Sequence, residues 1–331
     1  MDTTLSAGLD DWRLETRLED GKRYHKLPSG TECWQSVELL GRGTYGEVWK
    51  EECLSGTSSS PSLVRAVKHI SKQFNFDKAS KREIEALATF SRINMVKVSV
   101  VSTPSSLSVG FNADLLQYQQ HFVQILGWFE DDRHWYIAME FVEHGNLQEY
   151  IQKGSFKNPE AEPEAASVTA QIAQALSYMH TNGLVHRDLK PLNILVSNPG
   201  PAWHVKVADF GITKNLTNTL SRTRQVGTSG YMAPEVWGSQ YTSAIDIWAL
   251  GAIAFCMRTL SPPFIDPTTL GGYRTDRNLF PFGELSSSTQ QCVAFIMGAM
   301  AAVAEERMTI AEVLAHPWLT RQASNTGTAH P

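Results

Sequence analysis

The sequence predicts an α+β protein with two lobes: a β-rich N-terminal lobe that carries one main helix, and a mainly helical C-terminal lobe. The chain has 331 residues, of which 42% are hydrophobic, so it can bury one large core or two modest ones. Up to Phe141 it is dominated by short runs rich in β-branched and aromatic residues. From Leu147 onward the apolar residues recur at helical spacing.

The N-terminal lobe is predicted to contain five strands and one helix. The predicted strands are, in chain order, SVELL, EVWKEEC, LVRAVKHI, FVQILGWF and WYIAMEF. The helix is DKASKREIEALATFSR, in which Ile84, Leu87 and Phe90 are spaced three apart and form one buried stripe. Residues 1–33 are predicted to be an N-terminal extension, which either adds a strand or stays mobile.

The C-terminal lobe is predicted to contain helices over Glu164–His180, Ile245–Met257 and Gln290–Ala302. The first of these has Val168 and Ile172 on one face, and the other two are apolar and rich in glycine and alanine. Three short β runs lie between the helical parts, namely GLVH, NILV and HVKVAD. Such runs can hold polar side chains rigidly, so we expect them to carry functional groups.

Charge and cysteine content exclude several classes of function. The net charge is −5 with a pI near 6.1 and there is no long basic run, so neither nucleic acid nor an anionic membrane is expected as the main partner. The four cysteines are widely separated, which predicts a reducing compartment, the cytoplasm, and leaves a nuclear location open. No apolar stretch is long enough for a signal peptide or a membrane span.

The stretch GRGTYGEVWK, Gly41–Lys50, has three glycines in six positions. Such a pattern occurs in plain turns, in dinucleotide folds and in loops that approach a phosphate, so the glycines alone do not decide its role. A dinucleotide fold is disfavoured because two predicted strands surround these glycines, instead of a strand and a helix. Lys68 lies inside an apolar strand and needs an anionic partner, which Glu83 on the predicted helix can supply.

Four further motifs follow in order: VHRDLKPLNILV, VADFG, GTSGYMAPE and DIWALG. Together with the glycine stretch and Lys68, they resemble the signature set of the eukaryotic protein kinases, of serine/threonine type. The resemblance extends over about 34–319 and implies a bilobal protein-kinase-like fold, with an N-lobe at about 34–141 and a C-lobe at about 142–319. Residues 320–331 are then a disordered tail. The amino-acid sequence that flanks the motifs is most similar to that of kinases from filamentous fungi.

The resemblance implies an ATP site. Its residues are Leu40, Gly41, Gly43, Tyr45, Gly46, Val48, Ala66, Lys68, Met139, Glu140, Val142, Asn146 and Leu195. The glycine hairpin lays its amides over the triphosphate, and Lys68 holds the α- and β-phosphates. Glu83 is expected to brace Lys68; it is preferred to Glu85 because Leu87, four residues after Glu83, then faces the core. Met139 is expected to be the gatekeeper.

The same resemblance implies the reacting groups. Asp188 accepts or orients the proton of the substrate hydroxyl, and Lys190 neutralises the γ-phosphate. Asn193 and Asp209 hold Mg²⁺, which prefers oxygen ligands. His186 is expected to be a packed histidine and not the base.

Other motif residues are expected to support the fold. Asp246 anchors the backbone of the catalytic loop, and Glu235 forms a buried ion pair with Arg307. Lys190 and Thr228 indicate serine or threonine as the acceptor in protein substrates.

Two positions bear on substrate sequence. Asn146 and Leu192 stand where arginine-directed kinases often carry glutamate, so a strong preference for arginine upstream of the acceptor is not predicted.

Regulation is expected in the segment that follows Asp209. Arg187 is placed to pair with a phosphate there, and Thr223 is the first choice for its attachment. Thr217, Thr219 and Ser221 are the other candidates.

An insertion at about 95–120 departs from the family pattern, and two origins stay open. It is either a real loop or a retained intron over Val98–Gln117, whose codons can encode splice signals; sequencing the transcript distinguishes them. If the insertion disrupts the Glu83 helix, the chain is expected to be a pseudokinase or an ATP-binding scaffold. Substrate, pathway, activating event and oligomeric state are left open by the sequence.

Overall fold

The computed structural model describes residues 12–27, 30–43, 46–55, 63–72, 120–209, 214–215, 229–237 and 242–320. The chain divides into two compact units, Met1–Val142 and Glu143–Pro331. The first is built on a β-sheet and the second is mainly helical, so the predicted fold class is confirmed. The predicted helix from residue 77 to 92 and the insertion up to residue 119 lie outside the described residues.

The first unit contains an antiparallel sheet of seven strands in the order β1-β2-β3-β4-β5-β7-β6. The strands are β1 Glu15–Glu19, β2 Lys22–Leu27, β3 Gly30–Gly43, β4 Gly46–Cys53, β5 Val64–Ser71, β6 Ile125–Glu130 and β7 His134–Glu140. The five predicted strands fall within β3 to β7, although the run beginning at Phe122 becomes a strand only at Ile125. Two further strands come from the predicted N-terminal extension, and the boundary proposed at residue 34 falls inside β3.

The chain before β1 contacts β6, the strand at the opposite edge of the sheet from β1. The backbone N–H of Leu14 donates to the carbonyl of Trp128 at 2.8 Å, and the Leu14 side chain packs on the cluster of Val67, Phe129, Tyr136 and Ala138. Gly127 in β6 permits this approach, because a Cβ there would lie 2.7 Å from Leu14 Cγ. We call the face of the sheet on which Leu14 packs the covered face.

A buried carboxylate lies on the covered face, because Glu51 pairs directly with Arg65, which shares the face of Val67. Glu51 on β4 is fully buried and accepts hydrogen bonds from Arg65 Nε at 2.9 Å and Arg65 Nη2 at 2.6 Å. Its other oxygen pairs with Arg23 on β2, which also donates to Ser36 Oγ at 2.8 Å. Both carboxylate oxygens are therefore satisfied, as a charge removed from water requires. We call Arg23, His25, Glu51 and Arg65 the Glu51 network.

His25 joins the network as a neutral acceptor. The Thr16 hydroxyl donates to the Leu14 carbonyl at 3.1 Å, so the contact of 2.8 Å between Thr16 Oγ1 and His25 Nδ1 is donated by the ring. The other ring nitrogen, Nε2, then accepts from Arg65 Nη2 at 2.7 Å. Burial, followed by the charges of Arg65 and Arg23, lowers the pKa of His25 from 6.5 to about 3.

The second unit is built around two long helices. Its helices are α1 Leu147–Gln152, α2 Glu162–Thr181, α3 Ala244–Thr259, α4 Pro267–Tyr273, α5 Gln290–Ala299, α6 Ile310–Ala315 and α7 Pro317–Thr320. Two small antiparallel pairs accompany them; their strands are β8 Leu184–Val185, β9 Ile194–Asn198, β10 His204–Val207 and β11 Lys214–Asn215. Every residue of α3 from Ile245 to Arg258 is buried, which is typical of a core helix.

The predictions for the second unit hold with small changes. The three predicted helices correspond to α2, α3 and α5, and α5 ends at Ala299, three residues before its predicted end. Among the described residues, no helix is long and apolar enough to cross a membrane. The four cysteines are free thiols, and burial raises the pKa of Cys256 and of Cys292 to about 12.

We predict that His25→Gln reduces the pH dependence of stability. Below pH 6.5 the unfolded chain takes up a proton at His25 that the folded chain does not accept until about pH 3, so the unfolding free energy falls across that window. One proton corresponds to a slope of at most about 1.4 kcal/mol per pH unit, and solvent screening of the shift narrows the pH window over which this slope applies. Urea unfolding between pH 7 and pH 4 measures it. Identical slopes in wild type and variant would contradict the neutral state of His25.

Candidate active site

The glycines of the β3–β4 hairpin differ in what requires them. Gly46 has a φ of +145°, and a Cβ there would lie 1.8 Å from the carbonyl oxygen of His69, so the packing of the sheet itself requires glycine. Gly43 has its nearest such contact at 3.9 Å, and Gly41 has none within 4 Å. Side chains at these two positions would meet open space. Because glycine has no side chain, the backbone at Gly41 and Gly43 is accessible to a ligand.

Sheet register brings four of the predicted nucleotide residues to one face. Val48 pairs with Lys68, and Ala66 pairs with Met139. Directly paired residues share a face, and Ala66 and Lys68 alternate on β5 with the residues of the covered face. The four side chains therefore lie opposite the Glu51 network. Lys68 is buried, with only 6% of its surface exposed.

The other predicted nucleotide residues lie on β3, at and after the end of β7, and in the second unit. The N–H of Glu140 donates to the carbonyl of Gln124 at 3.0 Å, and the Glu140 carboxylate accepts from the Gln124 N–H at 2.8 Å. Val142 is the last residue of the first unit. In the second unit, Asn146 caps α1 through Glu149 N and forms a β-bridge with Leu195. Leu40, near the end of β3, is exposed.

Asp188 is the centre of a small hydrogen-bonded group between β8 and β9. Its Oδ2 accepts from Lys190 Nζ at 2.7 Å and from Asn193 Nδ2 at 3.2 Å, and its carbonyl accepts from the same Asn193 nitrogen at 2.8 Å. Among the described residues, Oδ1 receives no hydrogen bond. The carboxylate is therefore held by one oxygen and presents the other, which suits a group that receives a proton.

The backbone of the loop that carries Asp188 is held by hydrogen bonds to Asp246 on α3. The Asp246 carboxylate, which is 1% exposed, accepts from the backbone N–H of His186 at 2.8 Å and of Arg187 at 2.9 Å. It also pairs with His180 Nε2 at 2.9 Å. Burial alone would raise the pKa of Asp246. Its hydrogen bonds and nearby charges, of which those of His180 are the strongest, outweigh burial and hold the pKa below its usual value. Arg187 has a left-handed φ of +73°, a conformation that this anchoring stabilises.

His186 is packed in place and both of its ring nitrogens have partners. The ring is fully buried, with Nε2 at 3.0 Å from the carbonyl of Ala208 and Nδ1 at 3.3 Å from the N–H of Asp188. A carbonyl only accepts and an amide only donates, so Nε2 carries the proton and Nδ1 is the acceptor. This arrangement leaves the histidine to position the loop and not to take up a substrate proton.

Asn193 and Asp209 offer a donor set suited to magnesium. The Asn193 amide contacts Asp188 through its nitrogen, so its oxygen is directed elsewhere. The Asn193 carbonyl accepts from the N–H of Ala208 at 2.9 Å, which ties it to the residue before Asp209. Asp209 has a left-handed φ of +62°. One carboxylate and one amide oxygen fit a hard cation that completes its shell with water and phosphate.

Glu235 and Arg307 form an ion pair in the second unit. The guanidinium donates to the two carboxylate oxygens at 2.5 Å and 3.1 Å, and it also donates to the carbonyls of Ala244 at 2.8 Å and Ala301 at 3.1 Å. The Arg307 side chain is fully buried. The pair therefore attaches the short segment Pro234–Trp237 to the start of α3.

Several predicted residues lie outside the described part of the chain, namely Tyr45, Glu83, Thr217, Thr219, Ser221, Thr223 and Thr228. Conversely, the structure adds one residue that the sequence analysis missed. His180 at the end of α2 binds Asp246, and the only sequence signal is a histidine in the last turn of a predicted helix.

Comparison with known proteins identifies the class. The protein kinase domain family matches residues 110–319. The calcium/calmodulin-dependent protein kinase type 1 of Macrobrachium nipponense is 31% identical over 322 residues, which cover 92% of this chain and 80% of that protein. The protein of the same name from Caenorhabditis elegans is 30% identical over 310 residues, covering 88% and 76%. Aurora kinase B of Drosophila melanogaster is 33% identical over 200 residues, covering 60% and 59%.

The chain therefore belongs to the protein kinase domain family. Within it, this chain is a serine/threonine protein kinase, an enzyme that transfers phosphate from ATP to protein. Members of the family generally use ATP with Mg²⁺ and bind protein substrates. The relatives named here lend no support to the predicted fungal resemblance.

We predict that Asp246→Asn lowers the unfolding free energy by about 2–4 kcal/mol at pH 7, because a buried amide cannot accept from two backbone N–H groups and His180 together. The pKa of Asp246 is lowered on folding, so its contribution is complete above an unfolded pKa near 3.8 and is lost as pH falls through the folded pKa. Urea unfolding measures both effects.

The matched control for this prediction is Asp266→Asn, which makes the same chemical change at the exposed N-cap of α4. Asparagine caps helices as well as aspartate does, so this variant is expected to unfold like the wild type. Equal stability of both variants would show that Asp246 does not anchor the loop.

Proposed function

We propose that the chain transfers the γ-phosphate of ATP to serine or threonine hydroxyls with Asp188 as the group that receives the hydroxyl proton. The observation that carries the proposal is the Asp188 carboxylate, which Lys190 and Asn193 hold by Oδ2 alone. A fixed carboxylate with one oxygen presented meets the geometric requirement for a general base. As the hydroxyl oxygen bonds to phosphorus, its proton moves to Asp188 and ADP leaves.

Lys68 would bind the α- and β-phosphates, with Glu83 as its partner. The register that sets Val48, Ala66 and Met139 on the face of Lys68 supports an adenine site beside it. The open surroundings of Gly41 support the approach of phosphate to backbone amides. The other nucleotide contacts proposed are those of Leu40, Gly43, Tyr45, Gly46, Glu140, Val142, Asn146 and Leu195.

Asn193 and Asp209 would hold Mg²⁺, through an amide oxygen and a carboxylate. The bound ion supplies positive charge that neutralises the phosphates during transfer. Lys190 would add a cation beside Asp188, from which its Nζ lies 2.7 Å away, and would contact the γ-phosphate. These residues together supply positioning and charge stabilisation, which are the main requirements of phosphoryl transfer.

Lys190 and Thr228 support serine and threonine as acceptors. Leu192, one residue before Asn193, is 52% exposed and uncharged, and Asn146 is engaged in capping α1. Neither position offers a carboxylate to an arginine of the substrate. We therefore expect no strong selection for arginine upstream of the acceptor.

We predict that Asp188→Asn and Lys68→Met each lower phosphate transfer by at least about 100-fold, because one removes the base and the other a phosphate ligand. Transfer from labelled ATP to peptides with a single serine, threonine or tyrosine measures it. Asp266→Asn and Lys26→Met repeat the two chemical changes at exposed sites and should retain wild-type rates.

Three outcomes separate the possibilities for this experiment. Loss of transfer in both site variants, with serine and threonine as acceptors, supports the proposal. Equal transfer by all variants contradicts the assigned residues. Nucleotide binding by the wild type without any transfer would favour the ATP-binding scaffold.

We further propose that Arg187 pairs with a phosphate on Thr223 in the active enzyme. The left-handed backbone of Arg187 directly precedes Asp188, so a bound phosphate would help to fix the reactive loop. Phosphopeptide mass spectrometry of active enzyme should find Thr223 modified. Active enzyme without any modification between residues 215 and 225 would contradict this proposal.

A further inference from the structure

The N-terminal segment places an arginine in the interior of the first unit. Arg23 on β2 is 8% exposed, and it contacts Glu51, Ser36 Oγ at 2.8 Å and His69 Nε2 at 3.4 Å. Its guanidinium also lies 5.0 Å from the ring centre of Tyr136, a distance at which a cation is stabilised by an aromatic face. The residue therefore bridges β2 to four other strands of the sheet, β3, β4, β5 and β7.

Contacts with Glu51 and Arg23 hold strand β5 before and after Lys68. Arg65, three residues before Lys68, binds Glu51 and lies 4.1 Å from the ring centre of Trp34. His69, the next residue after Lys68, is the one that Arg23 contacts. Because side chains alternate along a strand, these inward contacts fix the backbone from which Lys68 points to the opposite face.

We propose that Arg23 is a positioning residue for Lys68: acting through Glu51 and His69, it fixes the segment of β5 that carries the phosphate-binding lysine. This inference rests on the assignment of Lys68 in the proposed function. It gives the segment before residue 34 a part in nucleotide binding, although that segment lies on the covered face of the sheet and not beside Lys68.

The charges of the network predict that Arg23 can be replaced without unfolding the chain. Two guanidinium groups share one carboxylate while His25 is neutral, so the network carries one excess positive charge. Arg23→Met leaves Glu51 and Arg65 as a balanced pair and keeps an apolar stem of similar length. Glu51→Gln, by contrast, would leave two buried guanidinium groups uncompensated and is expected to unfold the first unit.

The test compares Arg23→Met with Lys26→Met in the full-length chain. Lys26 lies on the same strand, but its side chain is 76% exposed and, among the described residues, forms its ion pair with the exposed Glu15. For Arg23→Met we expect the KM for ATP to rise about ten-fold while the KM for the peptide stays unchanged, because a displaced lysine loses contact with phosphate. Lys26→Met should match the wild type in both constants.

A merely structural role of Arg23 predicts a different pattern. Fewer folded molecules would lower kcat and leave both KM values unchanged, and this result would overturn the proposal. Amide exchange over Val64–Ser71 gives a readout that does not need activity: it should accelerate in Arg23→Met and not in Lys26→Met. If the wild type transfers no phosphate, the proposed function fails, and exchange still decides whether Arg23 holds β5. Unchanged exchange in Arg23→Met would also overturn the inference.

Discussion

The reactive loop of this kinase depends on one buried carboxylate. Asp246 accepts from the N–H groups of His186 and Arg187, the two residues that precede Asp188, and so fixes the backbone that leads to the proposed catalytic carboxylate. It lies on α3, a helix buried on every side, which cannot shift without disturbing the core of the second unit. His180 completes the set and favours the charged form of Asp246. The loop thus takes its rigidity from the core and keeps its irregular, left-handed backbone.

A second carboxylate has a similar part in the first unit. Glu51 on β4 binds Arg23 on β2 and Arg65 on β5. It therefore joins strands that are distant in sequence. The two carboxylates share a physical logic: a charge removed from water is stable only with several partners, so it constrains every element that supplies one. In both units, groups assigned to phosphate transfer lie on backbone fixed in this way.

The sequence predicted the fold class correctly for a clear reason, and the residues proposed for catalysis come from the same kind of signal. Strand alternation, helical spacing and ordered motifs are local signals, and they located β3 to β7 and the long helices. Contacts between distant residues carry no such local signal, and the two that were predicted, Glu235 with Arg307 and Asp246 with the loop backbone, came from the family resemblance. His180 is 66 residues from Asp246, and Arg23 is 28 residues from Glu51, so neither pairing could be inferred. Gly46 was expected to admit a ligand, whereas its neighbour His69 already requires glycine there.

Amide hydrogen exchange at His186 and Arg187 tests the anchoring by Asp246 most directly. If the buried carboxylate holds the loop, these two N–H groups exchange only when the second unit unfolds, at rates like those of the core amides of α3. Exchange at the rate of an exposed loop would contradict the anchoring, because both donors would then open independently of the core.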